Sequence, residues 1–126
     1  MSSDLDILVR EEDGLPIIEL AGDVDTYTCS RLRAAIMRLI EEGQFKMVVN
    51  MASVKYIDSA GLGIIVGGLR RVAEHEGGIA LAGANEQIKR VLNITGLARI
   101  IDLFEDEDEA ICSLKKIDRT ETREDK

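Results

Sequence analysis

The chain has 126 residues, of which 45% are hydrophobic and 32% are charged, and its formal net charge is −8 at pH 7. This length fits one compact domain, and the apolar fraction excludes an intrinsically disordered chain. The acidic balance argues against binding to nucleic acid or to an anionic membrane, because both require a positive protein surface. We therefore expect a single globular domain whose partner is a folded protein.

Compartment and metal content follow from what the sequence lacks. No apolar run approaches the roughly 20 residues that a membrane span needs, and residues 1–4 lack the basic and apolar regions of a signal peptide. The cytoplasm is therefore predicted. Cys29 and Cys112 are too few for a disulfide framework and have no nearby Cys or His at metal-ligand spacing. We expect two reduced structural thiols and no metal or cofactor.

The first third of the chain predicts a hairpin followed by a helix. Apolar runs over 5–11 and 15–22 flank Asp13-Gly14, a frequent turn pair, which indicates two antiparallel strands. Over 28–42 the apolar residues recur at i, i+3, i+4, i+7 and i+8. This spacing is typical of an amphipathic helix.

Strands and helices then alternate along the rest of the chain. The apolar spacing predicts strands over 45–51, 78–83 and 100–103, and helices over 60–76, 85–96 and 107–116. The resulting order, β-β-α-β-α-β-α-β-α, favours one α/β domain with a mixed, mostly parallel sheet and about four helices over a bundle or a sandwich. The domain is predicted over 4–116, with a charged, disordered tail over 117–126.

Residues 56–63 are the specialised segment, because they lie between a predicted strand and the glycine-rich start of the second helix. Ser59 falls at or next to the helix N-cap, where free backbone N–H groups and the helix dipole favour a negative group such as a phosphate. Gly61 and Gly63 leave the first turn without side chains, so a partner backbone can approach it. Small residues at Ala60, Gly63 and Gly67 could equally seat the helix tightly on the sheet.

The sequence supports a catalytic role for these residues less well than a binding role. The segment around Ser59 lacks the first glycine of the Gly-x-Ser-x-Gly nucleophile elbow, and His75, the single histidine, is about 24 Å away at 1.5 Å per helical residue. Asp23 and Asp25 could bind Mg²⁺, but capping and partner contact are favoured. No phosphate-binding glycine loop is present. We therefore expect no enzymatic activity, and we interpret the acidic run 105–109 as a solvated helix start.

Three segments carry a resemblance to a known family. Tyr-Ile-Asp-Ser-Ala-Gly-Leu-Gly over 56–63 resembles the Asp-Ser-x-Gly-Leu motif of the anti-sigma factor antagonists, the STAS domains. Gly-Asp-Val-Asp over 22–25 is similar to the family's loop before its first helix. Leu-Asn-Ile-Thr-Gly-Leu over 92–97 resembles its pattern ahead of the last strand. The resemblance spans about 4–114 and implies the element order deduced from periodicity.

The resemblance implies partner switching. In this family the unphosphorylated protein binds an anti-sigma factor that is also an ATP-dependent serine kinase, which releases the sigma factor, and phosphorylation ends that binding. By position, Ser59 matches the family's phosphorylated serine, and Ala60 stands where many members have a second serine. The expected partner surface consists of Asp23, Asp25, Thr26, Asp58, Ser59, Ala60, Gly61 and Gly63.

Several points stay open at the level of the sequence. A phosphatase acting on phosphorylated Ser59 is an additional expected partner, and weak nucleotide binding near Ser59 remains an alternative. The same domain could also serve as a scaffolding or ligand-sensing module that is not phosphorylated. Retention of the serine in a short chain favours the switch over that module.

Overall fold

The computed structural model describes residues 4–123, and from residue 117 onward it describes the backbone alone. In this part of the chain, five strands form one sheet: β1 (Leu5–Glu12), β2 (Leu15–Val24), β3 (Lys46–Ile57), β4 (Gly78–Ala82) and β5 (Asp102–Phe104). Four α-helices accompany them: α1 (Cys29–Glu41), α2 (Ser59–Ala73), α3 (Glu86–Thr95) and α4 (Glu107–Arg123). A short 3₁₀ turn, Leu97–Arg99, precedes β5.

The strands lie side by side in chain order, β1-β2-β3-β4-β5. β1 pairs with β2 antiparallel, and every other neighbouring pair is parallel. The predicted α/β domain with a mixed, mostly parallel sheet is therefore confirmed. The predicted hairpin turn is also present, since Asp13 and Gly14 have φ of 56° and 82°, the two positive values that a type I′ turn requires.

The two faces of the sheet are covered unequally. Helices α1, α2 and α3 supply the large core on one face, where Leu32, Ile65 and Leu92 are fully buried. On the other face α4 is the one helix within residues 4–123, with Ala110, Ile111 and Leu114 contacting strand residues. The ends of the strands therefore emerge between a layer of three helices and the single helix α4.

Several element ends differ from the predicted ones. β3 continues to Ile57, six residues beyond the predicted end, because its polar second half pairs with β2 and its carbonyls at Val54 and Lys55 accept from the Asn85 amide. The last strand begins at Asp102 because the 3₁₀ turn occupies the preceding residues. The backbone of α4 continues to Arg123, seven residues beyond the predicted helix end at 116, and residues 124–126 of the predicted disordered tail lie outside the described residues.

Cys29 is half-buried, Cys112 is exposed, and both are free thiols. Among the side chains that the structure describes, those of residues 4–116, no three His, Cys, Asp or Glu are grouped so that they could hold a metal ion. No helix in the same range is long and apolar enough to cross a membrane.

Candidate partner-binding site

The site lies at the edge of the sheet where β2 and β3 end. The two strands are parallel neighbours, with Asp23 opposite Tyr56 and Val24 opposite Ile57. Pairing continues past the last strand residue, since the backbone N–H of Asp58 donates to the carbonyl oxygen of Val24 at 3.1 Å. The loop after β2 and the first turn of α2 therefore emerge side by side, as the sequence predicted.

Asp58, and not Ser59, caps α2. One carboxylate oxygen of Asp58 accepts from the backbone N–H of Ala60 at 2.9 Å and of Gly61 at 3.1 Å. Ser59 is the first residue of the helix and is exposed, and its hydroxyl makes no hydrogen bond within the described part of the chain. The sequence left open whether Ser59 itself caps the helix. Because Asp58 is the cap in the structure, the exposed Ser59 hydroxyl is accessible for chemical modification.

The glycines of α2 divide into two sets with opposite surroundings. A Cβ on Gly61 would lie 2.6 Å from Val24 Cγ1 and 3.1 Å from the Val24 carbonyl oxygen, so only glycine lets the first turn sit this close to β2. Gly63 and Gly67 are exposed, and a Cβ added to either would have nothing within 4 Å of it. The interpretation of Gly63 and Gly67 as packing residues is therefore wrong, and Gly61 supports the partner surface from beneath.

The loop between β2 and α1 is fixed by its own side chains. Asp25 Oδ1 accepts from the backbone N–H of Tyr27 at 2.9 Å and of Thr28 at 3.1 Å. The hydroxyl of Thr28, which is buried, donates to the Asp23 carbonyl oxygen at 2.8 Å and accepts from the Asp25 N–H at 3.0 Å. The expected capping role of Asp25 is present, and the sequence did not single out Thr28.

Both tyrosines of the chain lie at this edge, and neither was among the predicted contacts. Tyr27 is 82% exposed in the loop after β2, and Tyr56 is 44% exposed near the end of β3. Exposed tyrosines are enriched in the binding surfaces of proteins, because they bury a large area at a low entropic cost. The signal in the sequence was their position, since Tyr27 directly follows Thr26 and Tyr56 lies two residues before Asp58.

The amino-terminal turn of α3 holds the end of β3 in place. The Gln87 side chain accepts from the Ile57 N–H and donates to the Ile57 carbonyl oxygen, both at 3.3 Å. Asn85 caps α3 by accepting from the Ile88 N–H at 2.9 Å. These amides fix the backbone immediately before Asp58, so they position Ser59 without touching it.

Acidic side chains surround the neutral hydroxyl of Ser59 at this edge of the sheet. Asp23, Asp25 and Asp58 are each partly exposed and lie on the two loops that flank Ser59, and Thr26 beside them is exposed. The amino-terminal end of α2 adds the positive end of a helix dipole beneath the serine. The arrangement presents a hydroxyl and small side chains for docking, with negative charge at its rim.

Comparison with known proteins identifies the family. A model of the STAS domain matches residues 6–110. The chain belongs to the STAS-domain family. The Asp-Ser-Ala-Gly-Leu segment at the start of α2 lies within the matched range, so the site described above is part of the STAS domain.

Named relatives and solved STAS structures cover most of the chain. An anti-sigma-B factor antagonist of Bacillus subtilis is 33% identical over 103 residues, which is 82% of this chain and 92% of the relative. One from Staphylococcus epidermidis is 32% identical over 101 residues, 80% of this chain and 94% of the relative. The crystal structure of an anti-sigma factor antagonist from Mycobacterium paratuberculosis, 22% identical, superposes with a TM-score of 0.82 over 89% of this chain and 95% of that one.

Proposed function

We propose that this STAS protein is an anti-sigma factor antagonist whose binding is switched off by phosphorylation of Ser59. One observation supports this proposal most strongly: the Ser59 hydroxyl is exposed and free of hydrogen bonds in the described chain, while Asp58 supplies the helix cap. A kinase can therefore modify Ser59 without removing a contact that holds α2. The relatives named as anti-sigma-B factor antagonists support the same assignment.

The switch is electrostatic in this proposal. A phosphate adds about −1.5 to −2 charge at neutral pH. On Ser59 that charge joins Asp58, Asp23 and Asp25 at one edge of a chain whose net charge is already −8. The positive end of the α2 dipole keeps the phosphate tolerable in the folded protein. A partner surface that fits a neutral hydroxyl would have to desolvate a dianion, so docking is lost and the fold is kept.

The proposed partner is an anti-sigma factor that is also the serine kinase, and a phosphatase resets the switch. The chain acts by binding and not by catalysis, in the cytoplasm. The contact surface comprises the exposed or half-exposed members of the edge: Asp23, Asp25, Thr26, Tyr27, Tyr56, Asp58, Ser59, Ala60 and Gly63.

Capture of the partner from host extract tests this function. The immobilised unmodified chain is expected to retain a kinase-type anti-sigma factor, identified by mass spectrometry, and Ser59→Ala is expected to retain it equally well. Ser59→Asp is expected to weaken binding by about tenfold or more, which corresponds to about 1.4 kcal/mol.

The matched control is Ser53→Asp, which adds the same charge at an exposed serine earlier on β3. It is expected to bind like the unmodified chain. Equal binding by Ser59→Asp and the unmodified chain, with both folded by circular dichroism, would overturn the electrostatic switch. Capture of a transporter or a receptor, and of no anti-sigma factor, would favour the scaffolding alternative.

A further inference from the structure

The outer edge of β1 is open and apolar in the middle. In the described part of the chain β1 pairs with β2 alone, so its other side carries unpaired N–H and C=O groups. Leu8 is 57% exposed and Val9 is 46% exposed, on opposite faces of the strand, and Ile7 beside them is half-buried. Edge strands of natural proteins usually carry a charge or proline at such positions, because an apolar edge invites another strand to pair with it.

We propose that β1 is an interface at which a second copy of this chain pairs, antiparallel, with Leu8 opposite Leu8 of the second copy. The result is a continuous sheet of two times five strands across a two-fold axis. A second copy is the occupant because the edge is complementary to itself in hydrogen bonding, in apolar contact and in charge.

The hydrogen-bonding groups of the edge fit this register. A two-residue hairpin turn makes Glu12 and Leu15 a hydrogen-bonded pair, so the even-numbered residues of β1 point their backbone groups at β2. The backbone groups of Leu5, Ile7, Val9 and Glu11 therefore point outward. With Leu8 at the axis, Ile7 faces Val9 and Leu5 faces Glu11 as hydrogen-bonded pairs. Every outward group of these four residues then has a partner.

The side chains select the same register. Asp6 would lie directly opposite Arg10 of the second copy, twice by symmetry, so opposite charges flank the Leu8 pair on one face of the sheet. Each Arg10 also binds Glu19 and Glu107 of its own copy. Ile7 and Val9 would meet on the other face. A shift that places Ile7 at the axis puts Leu8 opposite Asp6. A shift that places Val9 there puts Leu8 opposite Arg10 and Asp6 opposite Glu12, which is a like-charge pair.

Helix α1 adds complementarity above the strands. A groove of about 570 Å³ separates β1 from α1, and its lining includes Ile7, Val9, Arg31 and Glu42. Arg31 lies near the start of α1 and Glu42 directly after its end. A two-fold axis perpendicular to the sheet runs α1 antiparallel to its copy. The Arg31 end of one groove therefore faces the end of the other at which Arg38 and Glu42 form an ion pair, 3.8 Å apart.

Sedimentation velocity on the full chain tests the pairing. The unmodified chain is expected to show a reversible monomer–dimer equilibrium between about 1 and 200 µM. Val9→Pro removes an N–H that faces the open edge and not β2, so it is expected to weaken the dimer by about tenfold and leave the fold intact. Val9→Thr keeps the N–H and the branched shape, and is expected to dimerise within about threefold of the unmodified chain.

Asp6→Lys provides a second test that does not alter the backbone. It places one lysine opposite each Arg10 of the dimer, which makes two like-charge pairs. The dimer should therefore weaken at low salt and recover in about 0.5 M salt, where charges are screened. An unmodified chain that stays monomeric throughout the concentration range would overturn the proposal. A dimer that neither Val9→Pro nor Asp6→Lys weakens would overturn it as well.

Cysteine cross-linking tests the register. In a background with Cys29→Ser and Cys112→Ser, Leu8→Cys places two thiols in a pair whose Cα atoms are about 4.5 Å apart, which a disulfide can bridge. It is expected to form a covalent dimer under mild oxidation. Asp6→Cys is the matched control on the same face, offset by four residues or about 13 Å, and is expected to stay monomeric. The reverse pattern would contradict the register.

Discussion

The backbone N–H of Asp58 donates to the carbonyl oxygen of Val24 at 3.1 Å, one residue beyond the last paired residues of β2 and β3. This hydrogen bond joins the loop after β2 to the cap of α2. It explains how Ser59 and the acidic loop at Asp23 and Asp25, far apart in the sequence, form one surface. The same carbonyl oxygen is one of the three atoms that a Cβ on Gly61 would crowd, with Val24 Cγ1 and Ile57 Cγ1.

Gly61→Ala is expected to lower the free energy of unfolding by about 1–3 kcal/mol, because the added methyl overlaps Val24 and Ile57 and the first turn of α2 must move. Gly63→Ala is the matched control in the same helix, with open space around the added Cβ. It is expected to be neutral or to stabilise by up to about 1 kcal/mol through helix propensity. Urea denaturation measures both, and equal losses would contradict the packing role of Gly61.

Asp58→Ala is expected to cost about 1 kcal/mol of stability, since the N–H groups of Ala60 and Gly61 lose their acceptor. Asp58→Asn keeps an oxygen at the cap and removes the charge, so its stability is expected within a few tenths of a kcal/mol of the unmodified chain. Thermal unfolding of the two variants separates the contribution of the capping hydrogen bonds from that of the negative charge. If Asn destabilised as much as Ala, the cap geometry would not be the contribution of Asp58.

Thr28→Val is expected to cost about 1–3 kcal/mol, because it keeps the shape of a buried side chain and removes the partner of the Asp23 carbonyl and the Asp25 N–H. Thr26→Val, two residues earlier and exposed, is expected to stay within about 0.5 kcal/mol. Chemical denaturation compares them directly. A Thr28→Val protein as stable as Thr26→Val would show that the hydroxyl does not hold this loop.

Glu107→Ala is expected to destabilise the chain by about 1–2 kcal/mol, because the half-buried carboxylate accepts from both Arg10 and Asn50 and so ties α4 to the sheet. Hydrogen bonds with Glu19 and then with Glu107 raise the pKa of Arg10, so this guanidinium keeps its charge at every ordinary pH. Asp108→Ala, exposed in the same helical turn, is expected to cost about 0.5 kcal/mol or less. If urea denaturation showed equal losses of unfolding free energy for the two variants, Glu107 would not hold α4 on the sheet.

The element order could be predicted from the sequence because apolar residues repeat with the period of each element. The second half of β3 could not, since residues 52–56 contain few buried side chains. Their strand conformation depends on pairing with β2 and on the Asn85 amide, which is about 30 residues away in the chain. Contacts of this separation leave no local pattern.

Within the site, the sequence located the functional segment but not the roles of neighbouring residues. Whether Asp58 or Ser59 caps α2 depends on a helix start that shifts by one residue. One residue also rotates a helix by about 100°, which decides that Gly61 packs inward and Gly63 faces solvent. The exposed tyrosines depend on strand ends that the sequence placed too early.

Phosphopeptide mass spectrometry on the protein purified from its host tests whether Ser59 is the phosphorylated residue, with Ser59→Ala protein purified in the same way as the control. We expect phosphate on Ser59 in at least one growth condition and none in the Ser59→Ala sample. Phosphate confined to another residue, or absent under every condition in which the partner kinase is present, would contradict it.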